Sequence, residues 1–72
     1  MKERRTMTGH QICVEAVDTF GDGPQQIKAI EELAELQAVL ARDMNCLQVT
    51  DEEIIDEIAD VHIMTQQMAI IF

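Results

Sequence analysis

The chain has no tryptophan and no tyrosine, and its only aromatic residues are Phe20 and Phe72. The apolar supply is therefore Ile, Leu, Val, Ala and Met, which suits packed helices, and no stretch alternates apolar and polar residues as a half-buried strand does. Cysteine is also scarce. Cys13 and Cys46 are too few and too scattered to form a disulfide framework and read as reduced thiols in a cytoplasmic protein. Positive charge is the third shortage. Of five Lys and Arg, Lys2, Arg4 and Arg5 crowd the start, and none follows Arg42. Nucleic-acid binding needs a basic face to meet phosphates, so it is not expected. The first residues carry charges and no apolar core of a secretory leader, so none is expected. Val61 to Phe72 is interrupted by His62, Thr65, Gln66 and Gln67 and is too short to span a bilayer, so no membrane partner is expected.

Acid is abundant by contrast. The net charge is -9, and beyond Arg42 lie Asp43, Asp51, Glu52, Glu53, Asp56, Glu57 and Asp60. Such an excess repels itself unless cations gather there, so a divalent ion or a basic partner is the natural complement. Apolar residues make up 47% of the chain, too many for a disordered one. At 72 residues the chain is one domain, 1–72, with 1–7 expected to be flexible. A core this small usually needs a staple, a metal or a second chain.

The pattern predicts helix, turn, helix, loop, helix. The first helix is expected over about Thr8 to Phe20, with Ile12, Ala16, Val17 and Phe20 as its apolar stripe. Gly21-Asp22-Gly23-Pro24 breaks it. Pro24 suits the first position of the next helix, with Asp22 or Gly23 as its cap. That helix is expected to run to Asp43. Ile27, Ile30, Leu33, Ala34, Leu40 and Ala41 form its apolar arc, with Lys28, Glu31, Glu32, Glu35 and Arg42 opposite. After a loop over Met44 to Val49, Thr50 and Glu53 form a capping box for a third helix reaching the end of the chain. On that helix Ile54, Ile58, Val61, Thr65, Met68 and Phe72 share a face. Glu53, Glu57 and Asp60 flank it, on a line that Met64 and Ile71 continue. Beyond Ala59 the helix is apolar nearly all round, which predicts burial against a second copy of the chain.

Two acidic motifs carry the chemistry. Glu31-Glu32-Leu33-Ala34-Glu35 is an EExxE pattern, and Glu57-Ile58-Ala59-Asp60 is an ExxD pattern. Residues three apart on a helix share a side, so Glu32 pairs with Glu35 and Glu57 with Asp60. Helix axes ~8–10 Å apart let the two pairs meet around one ion. Carboxylate oxygens select a hard cation, magnesium or manganese, which readily takes phosphate oxygens as further ligands. The EExxE motif alone is more often a solvated helix face.

EExxE followed by ExxD within "DEIADVHIM" resembles the MazG-like nucleoside triphosphate pyrophosphohydrolases over about residues 24–72. The resemblance implies an all-α, oligomeric enzyme, commonly with a further helix; with the three helices read here, the protomer is expected to complete a four-helix-type bundle as a homodimer or homotetramer. It also implies magnesium-dependent conversion of (deoxy)nucleoside triphosphates to monophosphate and pyrophosphate, with manganese as a possible substitute. Carried over by position, Glu32, Glu35, Glu57 and Asp60 match the metal ligands. Glu31 matches a leading acid that orients water or holds a second ion, and Lys28 matches a basic position that meets phosphate.

Other candidates are weaker. His62 lies two residues after Asp60 and so points away from it, and the Glu-x-x-His of di-iron bundles is absent. His10 and Cys13 lack further ligands. Met64 and Met68 read as core filling, and Gly21 and Gly23 as a turn, since no GK[ST] follows. The rival function is a non-catalytic acidic helical module that oligomerises or binds a basic partner.

Overall fold

A computed structural model describes residues 8–72. The flexibility expected of residues 1–7 lies outside them. The described residues form three helices and no strand: α1 Gly9–Phe20, α2 Asp22–Met44 and α3 Asp51–Ile71. This is the all-α order that the periodicity predicts.

Each boundary has a local cause. Thr8 opens α1 with a capping box that sequence reading overlooked. Its Oγ1 accepts from the Gln11 amide at 3.1 Å, and Gln11 Oε1 accepts from the Thr8 amide at 2.8 Å. The expected box at Thr50 and Glu53 opens α3 in the same way, with both hydrogen bonds at 3.2 Å. The break between α1 and α2 is tighter than expected. A single residue, Gly21, separates them at φ 91° and ψ 158°, a region open essentially to glycine alone. α2 therefore begins at Asp22, and Pro24 is its third residue. It is tolerated there because first-turn amides have no helical acceptor. Neither Asp22 nor Gly23 serves as the cap.

α2 ends in a Schellman motif. The Leu47 amide donates to the Arg42 carbonyl at 3.0 Å and the Cys46 amide to the Asp43 carbonyl at 3.1 Å. The turn puts Cys46 at φ 59°, left-handed backbone where glycine is usual.

The short loop folds α3 back along α2, which forms the main packing contact, while α1 lies chiefly against α3. The packed face of α2 is not the apolar arc that its sequence advertises. It consists of Ala29, Glu32, Leu36 and Val39, with Gln25 at its start. Ile27, Ile30 and Leu33 stay 59%, 61% and 50% exposed. On α3 the packed face is shifted toward the line of Glu57, Met64 and Ile71, so Met64 and Gln67 are buried while Ile58 and Phe72 face outward. Inside, Gln25 Nε2 donates to Gln67 Oε1 at 2.5 Å, tying α2 to α3. Cys13, buried on α1, directs its thiol to the Ile63 carbonyl and to Gln66 Oε1.

The result is a thin slab of 51 × 31 × 15 Å, with a radius of gyration of 15.1 Å. A compact chain of this length has a radius near 11 Å. The accessible surface is 5845 Å², against roughly 4,500 Å² for a folded monomer of this mass.

The two unusual backbone positions predict opposite responses in urea unfolding. Cys46→Gly relieves a left-handed residue and should gain up to about 1 kcal/mol. Gly21→Ala forces a side chain into a glycine region and should lose about 1–3 kcal/mol.

Candidate metal centre

The site lies where α2 crosses the first half of α3. Glu32 falls on the packed face of α2, three residues after Ala29 and four before Leu36, so its carboxylate is carried inward and is 7% exposed. Sequence periodicity puts it among the solvated residues of the helix; packing on the Glu32 side instead of the Ile30 side reverses that. Glu35, one turn on, reaches the same place from the exposed rim. Glu57 is half-buried and arrives from α3.

Glu32, Glu35 and Glu57 each offer one carboxylate oxygen within 4.8 Å of the others. Metal–oxygen bonds of ~2.1 Å close such a span with small side-chain rotations. Two oxygens here are buried without a hydrogen-bond partner, Glu32 Oε2 and Glu57 Oε2. A buried polar atom left unpaired costs about 1–3 kcal/mol, and more when charged. The donor set is all oxygen, as a hard cation requires. These residues therefore suit a magnesium-type ion on two independent grounds, convergence and unmet bonding capacity.

Lys28 is the nearby cation. Its Nζ lies 3.2 Å from Glu32 Oε1, across one helical turn. The hydrogen bond to Glu32, then the charge of Glu32, with smaller contributions from Glu31 and Glu35, hold its ammonium above the ordinary lysine range. Asp60 is exposed and is not one of the three converging acids. It lines an adjoining cavity of about 310 Å³ with Lys28, Glu32, Ile63 and Met64. Glu31 is exposed and also outside the trio. The six residues singled out by motif thus divide into a converging trio, two residues facing the adjoining cavity, and one acid apart. A larger cavity of about 390 Å³, lined by His10, Val14, Gln66, Ala69 and Ile70, lies between α1 and α3 and contains no acid. Sequence reading missed the Lys28–Glu32 pair, although its i,i+4 spacing was visible.

The Glu35 carboxyl is pushed above the usual carboxylate range. The largest cause is the charge of Glu32, followed by a proton shared with Glu32 and by the charge of Glu57. Two ionised carboxylates cannot hydrogen-bond each other, so that sharing exists only while one is protonated.

No family model, curated protein or solved structure matches this chain. Among the described residues, no helix is long and apolar enough to cross a membrane.

The raised Glu35 carboxyl fixes the sign of a pH effect. The folded cluster holds a proton more tightly than the unfolded chain, so its contribution is fully present below the ordinary carboxylate pKa near 4.5 and is lost as pH rises through the raised value. Without divalent ions, the thermal midpoint should fall as pH rises from about 4.5 toward neutrality. Glu35→Gln should flatten that fall. Parallel slopes for the two proteins would contradict the assignment.

Proposed function

We propose that the chain is a magnesium-dependent hydrolase of (deoxy)nucleoside triphosphates, releasing the monophosphate and pyrophosphate. The observation that supports it most is the meeting of Glu32, Glu35 and Glu57 with a buried, unpartnered oxygen on Glu32. The choice of nucleotide rests on the EExxE and ExxD resemblance to MazG-like enzymes. Glu32, Glu35 and Glu57 would hold the ion, with Asp60 joining from the edge of the adjoining cavity. Bound there, magnesium would neutralise triphosphate oxygens and offset the charge that develops as the anhydride breaks.

The chain's own groups do the rest. The resemblance gives Glu31 the orienting of the attacking water, which its exposed side chain would perform by turning inward; the water's proton passes to solvent as the new P–O bond forms. The anhydride between the α and β phosphates breaks, and its electron pair leaves with the phosphate group that water does not attack. The Lys28 ammonium meets phosphate charge from the cavity it lines. At about 310 Å³ that cavity is near the lower limit for a small-molecule pocket, enough for phosphates but small for a whole nucleotide.

A second copy would supply the missing wall. The α2 stripe of Ile27, Ile30, Leu33 and Leu40 and the α3 residues Ile55, Ile58 and Ile63 are exposed. The surface exceeds that of a compact monomer by more than the ~800 Å² per partner of a standard interface. A homodimer or homotetramer would bury that surface, and a reducing cytoplasm would suit the free thiols Cys13 and Cys46. A non-catalytic acidic oligomerisation module is the second reading, and the same exposed stripe favours it.

Two experiments separate them. With mixed dNTPs and magnesium or manganese, the protein should release pyrophosphate, and Glu35→Ala and Asp60→Ala should lower the rate at least about 100-fold. Turnover in the absence of divalent ions, or undiminished in both variants, contradicts the enzyme. By light scattering the wild type should have at least twice the chain mass. An Ile30→Asp, Leu33→Asp double variant should be monomeric and much less stable; an unchanged mass would remove the stripe as the interface.

A further inference from the structure

Lys28 stands in an unusual relation to the acids. Its side chain is 53% exposed, yet its ammonium is engaged 3.2 Å from Glu32 Oε1. It lies against Glu32, the most buried acid of the trio, and takes one of that carboxylate's two oxygens. The other oxygen, Oε2, remains buried and without a donor. Glu32 is thus half-compensated by a cation on a flexible four-carbon stem, at the mouth of the cavity that Lys28, Glu32 and Asp60 share. A divalent ion held by Glu32, Glu35 and Glu57 would find Glu32 Oε2 open, but it would then share one carboxylate with the ammonium resting on Oε1. An ammonium and a divalent ion on the two oxygens of one carboxylate repel each other, and of the two only the ammonium has a second place to go.

We propose that Lys28 is a tethered counterion that the divalent ion displaces. While the site is empty, its ammonium stabilises Glu32. When the ion enters, the same ammonium is released into the adjoining cavity, where an anionic ligand such as a polyphosphate would meet it. The exchange makes phosphate affinity depend on prior ion binding through one side chain. It rests on the metal-site reading and adds an order of events to it: ion first, anion second.

The compactness and strong hydration of a lysine ammonium suit this role, since it holds one oxygen as a point charge and lets go. The pair is partly solvated, so the effect on affinity is moderate. The α2 backbone need not move, because the lysine stem alone reaches between Glu32 and the cavity.

The test uses the full chain and Mn²⁺ alone, with affinity read by calorimetry or by the electron-spin signal of free manganese. Lys28→Gln should bind Mn²⁺ about 3- to 10-fold more tightly than wild type. Arg42→Gln removes the same charge from the same helix but about 21 Å away, fourteen residues along at ~1.5 Å each, and should change affinity less than 2-fold. In the wild type, acetylation of Lys28 followed by peptide mass mapping should speed up when Mg²⁺ is added. Equal shifts in the two variants, weaker binding by Lys28→Gln, or labelling indifferent to Mg²⁺ would overturn the exchange while leaving the metal site standing. Absence of Mn²⁺ binding in both wild type and Lys28→Gln would overturn the metal site itself.

Discussion

The rest of the structure depends on a repulsion. Three carboxylates, Glu32, Glu35 and Glu57, are brought together between two helices, and one of them is buried. Burial disfavours each charge, and each charge disfavours its neighbours. Among the described residues, the compensation is one lysine on one oxygen of Glu32, and the charge of Glu32 pushes the Glu35 carboxyl above the ordinary carboxylate range. Apolar residues at position 32 or 57 would pack the same interface without penalty. The arrangement suits a function that needs negative charge fixed at low exposure.

The same packing choice that buries Glu32 also exposes the apolar arc of α2. The helix could turn either face to α3. Turning the Ala29, Glu32, Leu36 and Val39 side inward brings the acids together and leaves Ile27, Ile30 and Leu33 outside. The metal reading and the self-association reading are therefore two consequences of one helical rotation. Stability is divided likewise. Among the described residues the buried apolar ones are few and mostly small, namely Cys13, Ala29, Val39 and Met64, so much of the apolar surface is still available to a partner.

Local signals were legible in the sequence. Thr50 and Glu53 fix the start of α3, glycine and proline mark the α1–α2 break, and the three helices follow from apolar spacing. The coincidence of Glu32 and Glu35 with Glu57 was legible too, because both motifs are periodic and the connecting loop is short. The side of α2 that packs was not. Its apolar residues span most of the circumference, and periodicity reports where apolar residues are, not which of them meets an internal partner and which waits for an external one. Nor did motif spacing separate Asp60 from the converging trio, since a residue three along from Glu57 shares its side without sharing its depth.

The proposed divalent-cation site is tested most directly by thermal unfolding at pH 7, comparing MgCl₂ with NaCl at matched ionic strength, for wild type and Glu32→Gln. The wild type should have a higher midpoint in MgCl₂ than in NaCl, and Glu32→Gln should show no difference between the salts. Equal midpoints in the two salts for the wild type would contradict it, as would a magnesium effect that survives in Glu32→Gln.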